Sequence, residues 1–254
     1  MDDDVIRVGS IGQGGQYTTN TVPPKLWVSL EFDPSLAAAY KFVEDLKPAL
    51  ENISVVELSG LTRIGHQSNE QDVVKLFTMF VLHPVEIVLA QIKLSESCRL
   101  ELRTKLHAEE GRKIRYDIML EGHGPQGIKT LTVMGIKNFG VIKKEMGHIL
   151  AVKVSSIQEA QKLAPTSGFR FAAGSILLLR ECAAYAAKFE TRHVAIYLDF
   201  IQLPEAMCAN KDPDAGGFAG DFVLIHTQTD PSTFHYALLA FFKRAVTEWM
   251  QDAR

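Results

Sequence analysis

Residues able to do chemistry are present in this chain, but they are spread along it. Its eight histidines include no HExxH and no pair at metal-ligand spacing beside a cysteine, so the sequence carries no zinc motif. His123, in Glu121-Gly122-His123-Gly124, is the histidine whose glycine-rich setting most invites inspection. Asp212, Asp214 and Asp221, around Gly216-Gly217, supply the oxygen ligands of a calcium loop. Position twelve counted from Asp212 is Val223, however, where an EF-hand needs a bidentate glutamate. Neither GxSxG nor GxxxxGK[ST] occurs, and spacing alone names no acid-base pair. A strand over Val5 to Val8 followed by Gly9, Gly12, Gly14 and Gly15 suggests a dinucleotide fingerprint. Tyr17 stands at its last glycine place, and the residues up to Pro23-Pro24 cannot open the helix that would hold a pyrophosphate. The expectation is therefore no cofactor, no metal and no nameable catalytic residue.

What the chain does concentrate is positive charge. Residues 1–92 carry 6 Lys/Arg against 12 Asp/Glu, residues 93–154 carry 12 against 7, and residues 155–254 carry 9 against 11, so a net charge of −3 conceals a basic middle. Arg99, Arg103, Lys105, Arg112, Lys113 and Arg115, flanked by Lys143 and Lys144, are the candidates for a surface that meets lipid or nucleic-acid phosphate. The plainer reading pairs Arg99, Arg103 and Lys105 across strands with Asp117 and Glu121 on a solvated sheet.

These charges must be positioned by strands. Cys98, Leu100, Leu102, Thr104 and Leu106 alternate with Arg99, Glu101, Arg103, Lys105 and His107, and a period of two sends one set to a core and the other to water. After a turn at 108–111 the alternation resumes, with Ile114, Tyr116, Ile118 and Leu120 inward and Arg115, Asp117, Met119 and Glu121 outward. The glycine-rich loop 122–127 leads to a third strand, Ile128 to Ile136. The spacing predicts an antiparallel meander over 98–136, with its first hairpin turning near Gly111.

Around the meander, Lys25 to Phe32 reads as a strand. Asp33-Pro34-Ser35 starts a helix that runs to about Lys47. Ile53 to Leu58 is a strand, and a second helix with Val73, Val74, Phe77, Phe80 and Val81 on its apolar face is stopped by His83-Pro84. Val85 to Leu94 then reads as β-rich. Beyond Lys143-Lys144, His148 to Val154 is a strand and Ile157 to Leu163 a short helix. Residues 175–189 form a buried helix, His193 to Leu203 one central strand, and Asp221 to Thr227 another. The terminal helix over 231–252 follows Asp230-Pro231-Ser232, with Phe234, Leu238, Phe241, Phe242, Ala245 and Trp249 along its stripe. The fold class is α+β, in two β-rich halves, 1–142 and 143–254, each with packed helices. At 254 residues, 46% hydrophobic and 22% charged, the chain is long enough for either one large or two modest cores. Cys98, Cys182 and Cys208 lack CxxC spacing and read as reduced thiols of a cytosolic compartment. Met1-Asp2-Asp3-Asp4 is unlike a signal peptide, and no apolar run is long enough to span a membrane.

The order strand, helix, strand, Pro84-stopped helix, strand, meander is similar to that of the N-terminal half of matrix proteins of non-segmented negative-strand RNA viruses, especially the pneumovirus-like ones. The resemblance implies two packed β-rich halves, dimers or higher assemblies of the chain with itself, and basic surfaces on anionic lipid. It departs from that family in its acidic balance and in Pro23-Pro24-Lys25-Leu26, which lacks the tyrosine of PPxY. The expected function is thus a self-assembling, membrane-associated structural protein, cytoplasmic or peripheral at a membrane or within a virion. The alternative is a soluble enzyme or ligand-binding protein with its site in loops 122–127 and 210–221. Nucleic acid is a third partner class, disfavoured because Tyr116 is the lone aromatic between Cys98 and Ile136 and stacking platforms need more.

Overall fold

The computed structural model describes residues 26–30, 34–50, 74, 77–104, 116–136, 152–163, 181–182, 184–196, 199–202, 222–227 and 234–252. The fold is α+β. In chain order come β1 (Leu26–Leu30), α1 (Pro34–Leu50), a π-helical turn (Thr78–Leu82) running into α2 (His83–Leu89), β2 (Arg99–Thr104), β3 (Ile118–Gly124) and β4 (Gly127–Gly135). They are followed by β5 (Val152–Val154), α3 (Ile157–Leu163), helical residues 181–182 and 184–189, β6 (His193–Ile196), β7 (Asp199–Gln202), β8 (Phe222–Thr227) and α4 (Phe234–Asp252). One mixed sheet holds all eight strands in the order β2-β3-β4-β6-β7-β8-β1-β5. Strands from before and after position 142 are therefore hydrogen-bonded neighbours: β4 runs parallel to β6, and β1 runs parallel to both β8 and β5.

The meander is present. β2 pairs antiparallel with β3 from Arg99 opposite His123 to Thr104 opposite Ile118, a register centred on position 111. β3 returns into β4 with Gly124 opposite Gly127. The expected loop 122–127 is replaced by two strand ends and a two-residue turn, Pro125-Gln126, and Gly127 takes a φ of +108°, which a side chain would oppose. A second correction concerns exposure. Asp117, Met119 and Glu121, expected to face water, are buried along with Ile118 and Leu120. β3 is therefore covered on both faces.

On one side lies α4. Its Phe234, Leu238, Phe241, Phe242 and Trp249 join Ile118, Leu120, Met134 and Ala195 in the main core, with Leu82, Val85 and Leu89 of the π-turn and α2 and Ala39 of α1. Close approach is bought with glycine: a Cβ on Gly122 would sit 2.8 Å from the Trp249 ring. On the other side, Cys182, Ala184, Tyr185 and Ala186 are buried, and a Cβ on Gly135 would lie 3.1 Å from the Tyr185 hydroxyl. The described part of the helix expected over 175–189 is thus as buried as its composition requires.

Two further expectations change. His83-Pro84 does not end a helix, and Val85 to Leu94 does not begin a strand; α2 runs through to Leu89. Pro84 has no N–H to give the carbonyl of Phe80. The chain widens into a π-turn, in which the His83 N–H reaches Thr78 O, and the freed Phe80 carbonyl accepts a hydrogen bond from His235 Nε2 of α4 at 2.9 Å. Val85 and Leu89, four apart, then share one buried helical face. His193 to Leu203 is not one strand but two, β6 and β7, paired from Ile196 opposite Asp199. Its expected place in the middle of the sheet is nonetheless correct. The segments 53–58 and 210–221 lie outside the described residues.

Gly122→Ala tests the packing of α4. The added methyl meets an indole wedged against β3, so the substitution is expected to cost about 1–3 kcal/mol, the usual penalty for overpacking, read as a lowered denaturation midpoint. A midpoint equal to the parent's would place Trp249 elsewhere.

Candidate functional site: a charged cluster on the meander

The pleat gathers the charged residues of β2 and β3. Arg99, Glu101 and Arg103 share one face of β2, and the cross-strand register sets Glu101 opposite Glu121 and Arg99 opposite His123. Diagonal neighbours on such a pair come within reach of long side chains. Arg103 Nε lies 3.0 Å from Glu101 Oε1 and 2.9 Å from Glu121 Oε2, and His123 Nε2 lies 3.1 Å from Glu101 Oε2 and 3.8 Å from Glu121 Oε2. Arg99 Nη2 is 3.4 Å from His123 Nδ1. Because a guanidinium only donates, that contact makes Nδ1 the acceptor and puts the proton of a neutral ring on Nε2, facing the carboxylates.

Arg103 donates its Nε–H to Glu101. That hydrogen bond, ahead of the surrounding positive charges, holds the Glu101 carboxyl below its ordinary value and raises the Arg103 guanidinium. Glu121 is only 7% exposed, yet its Oε2 lies off the line of that N–H and accepts no hydrogen bond; His123 Nε2 is buried and likewise makes none. Two carboxylates and two guanidiniums leave the cluster near neutrality with His123 uncharged. Glu101, Glu121 and His123 bring one ligand atom each to within 4.8 Å of one another.

Of the basic residues singled out in the sequence, the structure brings Arg99 and Arg103 together. Arg103 is paired across the strands with Glu121 and along β2 with Glu101, whereas Arg99, its side chain 73% exposed, comes only within 4.0 Å of Glu101 on its own strand. Asp117, the other carboxylate named in the plainer reading, accepts the Ile136 N–H at 2.6 Å. Lys105, Arg112, Lys113, Arg115, Lys143 and Lys144 lie outside the described residues, as does the loop 210–221.

A second constellation had no sequence signal, because its members come from β6 and the C-terminal helix, 55 residues apart. His193, with a side chain 4% exposed, places Nε2 2.9 Å from Glu248 Oε2, with Arg192 Nη1 3.9 Å from the same oxygen. The pair borders a cleft of about 570 Å³ that Lys129, Thr191, Glu190 and Asp252 also line. Burial holds the His193 imidazole below its ordinary value despite the Glu248 hydrogen bond. Glu248 is pushed up by burial but held below its ordinary value overall by the His193 hydrogen bond and the charges of His193, Arg192 and Arg244. Nδ1 of His193 makes no hydrogen bond. Comparison with protein-family models, curated proteins and solved structures returns no match to this chain.

The His193–Glu248 pair sets a pH dependence. Below about pH 6.5 the unfolded chain takes up a proton that folded His193 resists, so stability falls as pH drops through that value. The lowered Glu248 extends the loss below about pH 4.5. Denaturant midpoints measured at intervals from neutral to mildly acidic pH are expected to decline in the parent and to flatten near pH 6.5 in His193→Gln. An unchanged slope in the variant would assign the proton uptake to other groups.

Proposed function

We propose that the protein is a self-assembling structural protein that associates with anionic membrane, of the matrix type. The observation that carries this reading is the β3–β4 hairpin tip, where Ile128 is 63% exposed, far more than any other large apolar side chain among the described residues. Ile128 stands opposite His123 in the register, which sets it at the end of the sheet where Arg99, its side chain 73% exposed, begins β2. An apolar residue on a rigid turn beside an exposed cation is the chemistry of interfacial docking: the side chain leaves water for the acyl boundary while the cation meets lipid phosphate. Lys129, next in sequence, is tied to Asp252 at 3.0 Å and contributes less. Self-assembly is supported by β2, which among the described strands has a neighbour on one side only.

The His193–Glu248 pair beside its cleft, with the imidazole buried and the carboxylate partly exposed, favours a second reading, a small-ligand-binding protein. Co-sedimentation separates the two. The full chain is expected to bind vesicles containing phosphatidylserine and not neutral ones. Ile128→Asp should weaken binding at least tenfold, since burying such a side chain contributes about 2 kcal/mol. A monomer by light scattering that ignores anionic vesicles would leave the ligand-binding reading, and undiminished binding by Ile128→Asp would remove the hairpin tip from the membrane surface.

A further inference from the structure

We propose that Glu101, Glu121 and His123 form a binding site for one divalent transition-metal ion of the zinc type, and that Arg103 is the resident cation the metal displaces. The proposal is independent of the membrane reading, although it concerns the same strands. The ligand set is two carboxylates and an imidazole, which suits zinc and its neighbours better than magnesium or calcium, whose sites are built from oxygen alone. The cross-strand register already points the three side chains to one place: the His123 Nε2 separations of 3.1 Å and 3.8 Å from the two carboxylate oxygens are both shorter than about 4.2 Å, twice a zinc–nitrogen or zinc–oxygen bond. With all three ligand atoms within 4.8 Å of one another, a small inward rotation of the partly exposed Glu101 closes the set.

A cluster of carboxylates alone would mean little. Here two buried atoms aimed into the cluster, Glu121 Oε2 and His123 Nε2, make no hydrogen bond, and Glu121 is more than nine-tenths buried. A buried acceptor left in that condition is costly. Arg103, 2.9 Å away, supplies charge but directs its Nε–H to Glu101. Its guanidinium therefore compensates the two carboxylates electrostatically without satisfying the second one by geometry. A metal ion would do both. Binding requires His123 to move its ring proton from Nε2 to Nδ1, which breaks only the long contact to exposed Arg99. Arg103, itself partly exposed, swings to solvent. The fourth position is left for water, as in sites with three protein ligands.

The test uses metal-stripped, tag-free full-length protein titrated with Zn²⁺, with Co²⁺ as the spectroscopic probe and Mg²⁺ as the hard-cation comparison. The expected result is one equivalent of Zn²⁺, a raised melting temperature and a Co²⁺ ligand-field spectrum of low coordination number, with Mg²⁺ ineffective. His123→Gln and Glu121→Gln should abolish all three effects; His123→Gln, at the less buried position, is the variant that keeps its fold. Arg103→Gln is the discriminating substitution. It should melt lower than the parent without metal, bind Zn²⁺ at least tenfold more tightly, and recover its melting temperature when Zn²⁺ is added. Absence of binding by the parent, binding that survives His123→Gln, equal binding of Mg²⁺, or weaker binding by Arg103→Gln would each overturn the proposal.

Discussion

The burial of α4 against β3 and β4 is the interaction on which the rest of this structure depends. Phe242 and Leu238 are fully enclosed, and Ile118, Leu120 and Met134 beneath them are equally inaccessible. A sheet face committed to such a core cannot slip by one residue, since a slip would turn every one of those side chains to the opposite face. The register of β3 is therefore set from the α4 side. What appears on its reverse face, Met119, Glu121 and His123, follows without further choice. The polar cluster is a geometric consequence of an apolar one.

That dependence explains what could be read in the sequence and what could not. The meander was legible because Cys98 to His107 and Ile114 to Glu121 keep an uninterrupted period of two, and α4 because its aromatic stripe repeats at helical spacing. Both are local patterns. The coverage of Asp117, Met119 and Glu121 was not legible, since the local alternation reports which residues share a face and not whether other elements cover that face. Pro84 misled for a related reason: a helix survives there because His235, on another element, accepts the role of the missing N–H donor. The Glu101–Glu121–His123 grouping escaped spacing rules written for single helices and loops, as its members are contributed by two strands. The His193–Glu248 pair escaped them for the same reason.

The two polar constellations solve the cost of buried charge differently. At His193 burial lowers the imidazole's affinity for a proton, and its partner is a carboxylate held below its ordinary value first by the His193 hydrogen bond and then by the nearby charges, Arg192 and Arg244 among them. In the meander the charges remain, and Arg103 lies between two glutamates that would otherwise repel each other. The first arrangement responds to protons, the second to other cations. Both lie at the α4-proximal part of the sheet, β2 to β6, rather than around β5.

The position of β1 carries a consequence for how the chain is made. This strand, near the start of the sequence, sits between β8 and β5, with Leu26 opposite Phe222. Its hydrogen-bonding partners emerge from the ribosome more than a hundred residues later, and the helix that follows it stacks Tyr40 on Tyr236 of α4. Closing such long loops is slow, because their entropy must be surrendered before the distant contacts form. Strand β1 and helix α1 thus wait for their partners until residues 222–252 have been made. During that interval unpaired backbone groups and uncovered apolar side chains coexist, the condition under which a folding chain is most prone to aggregate.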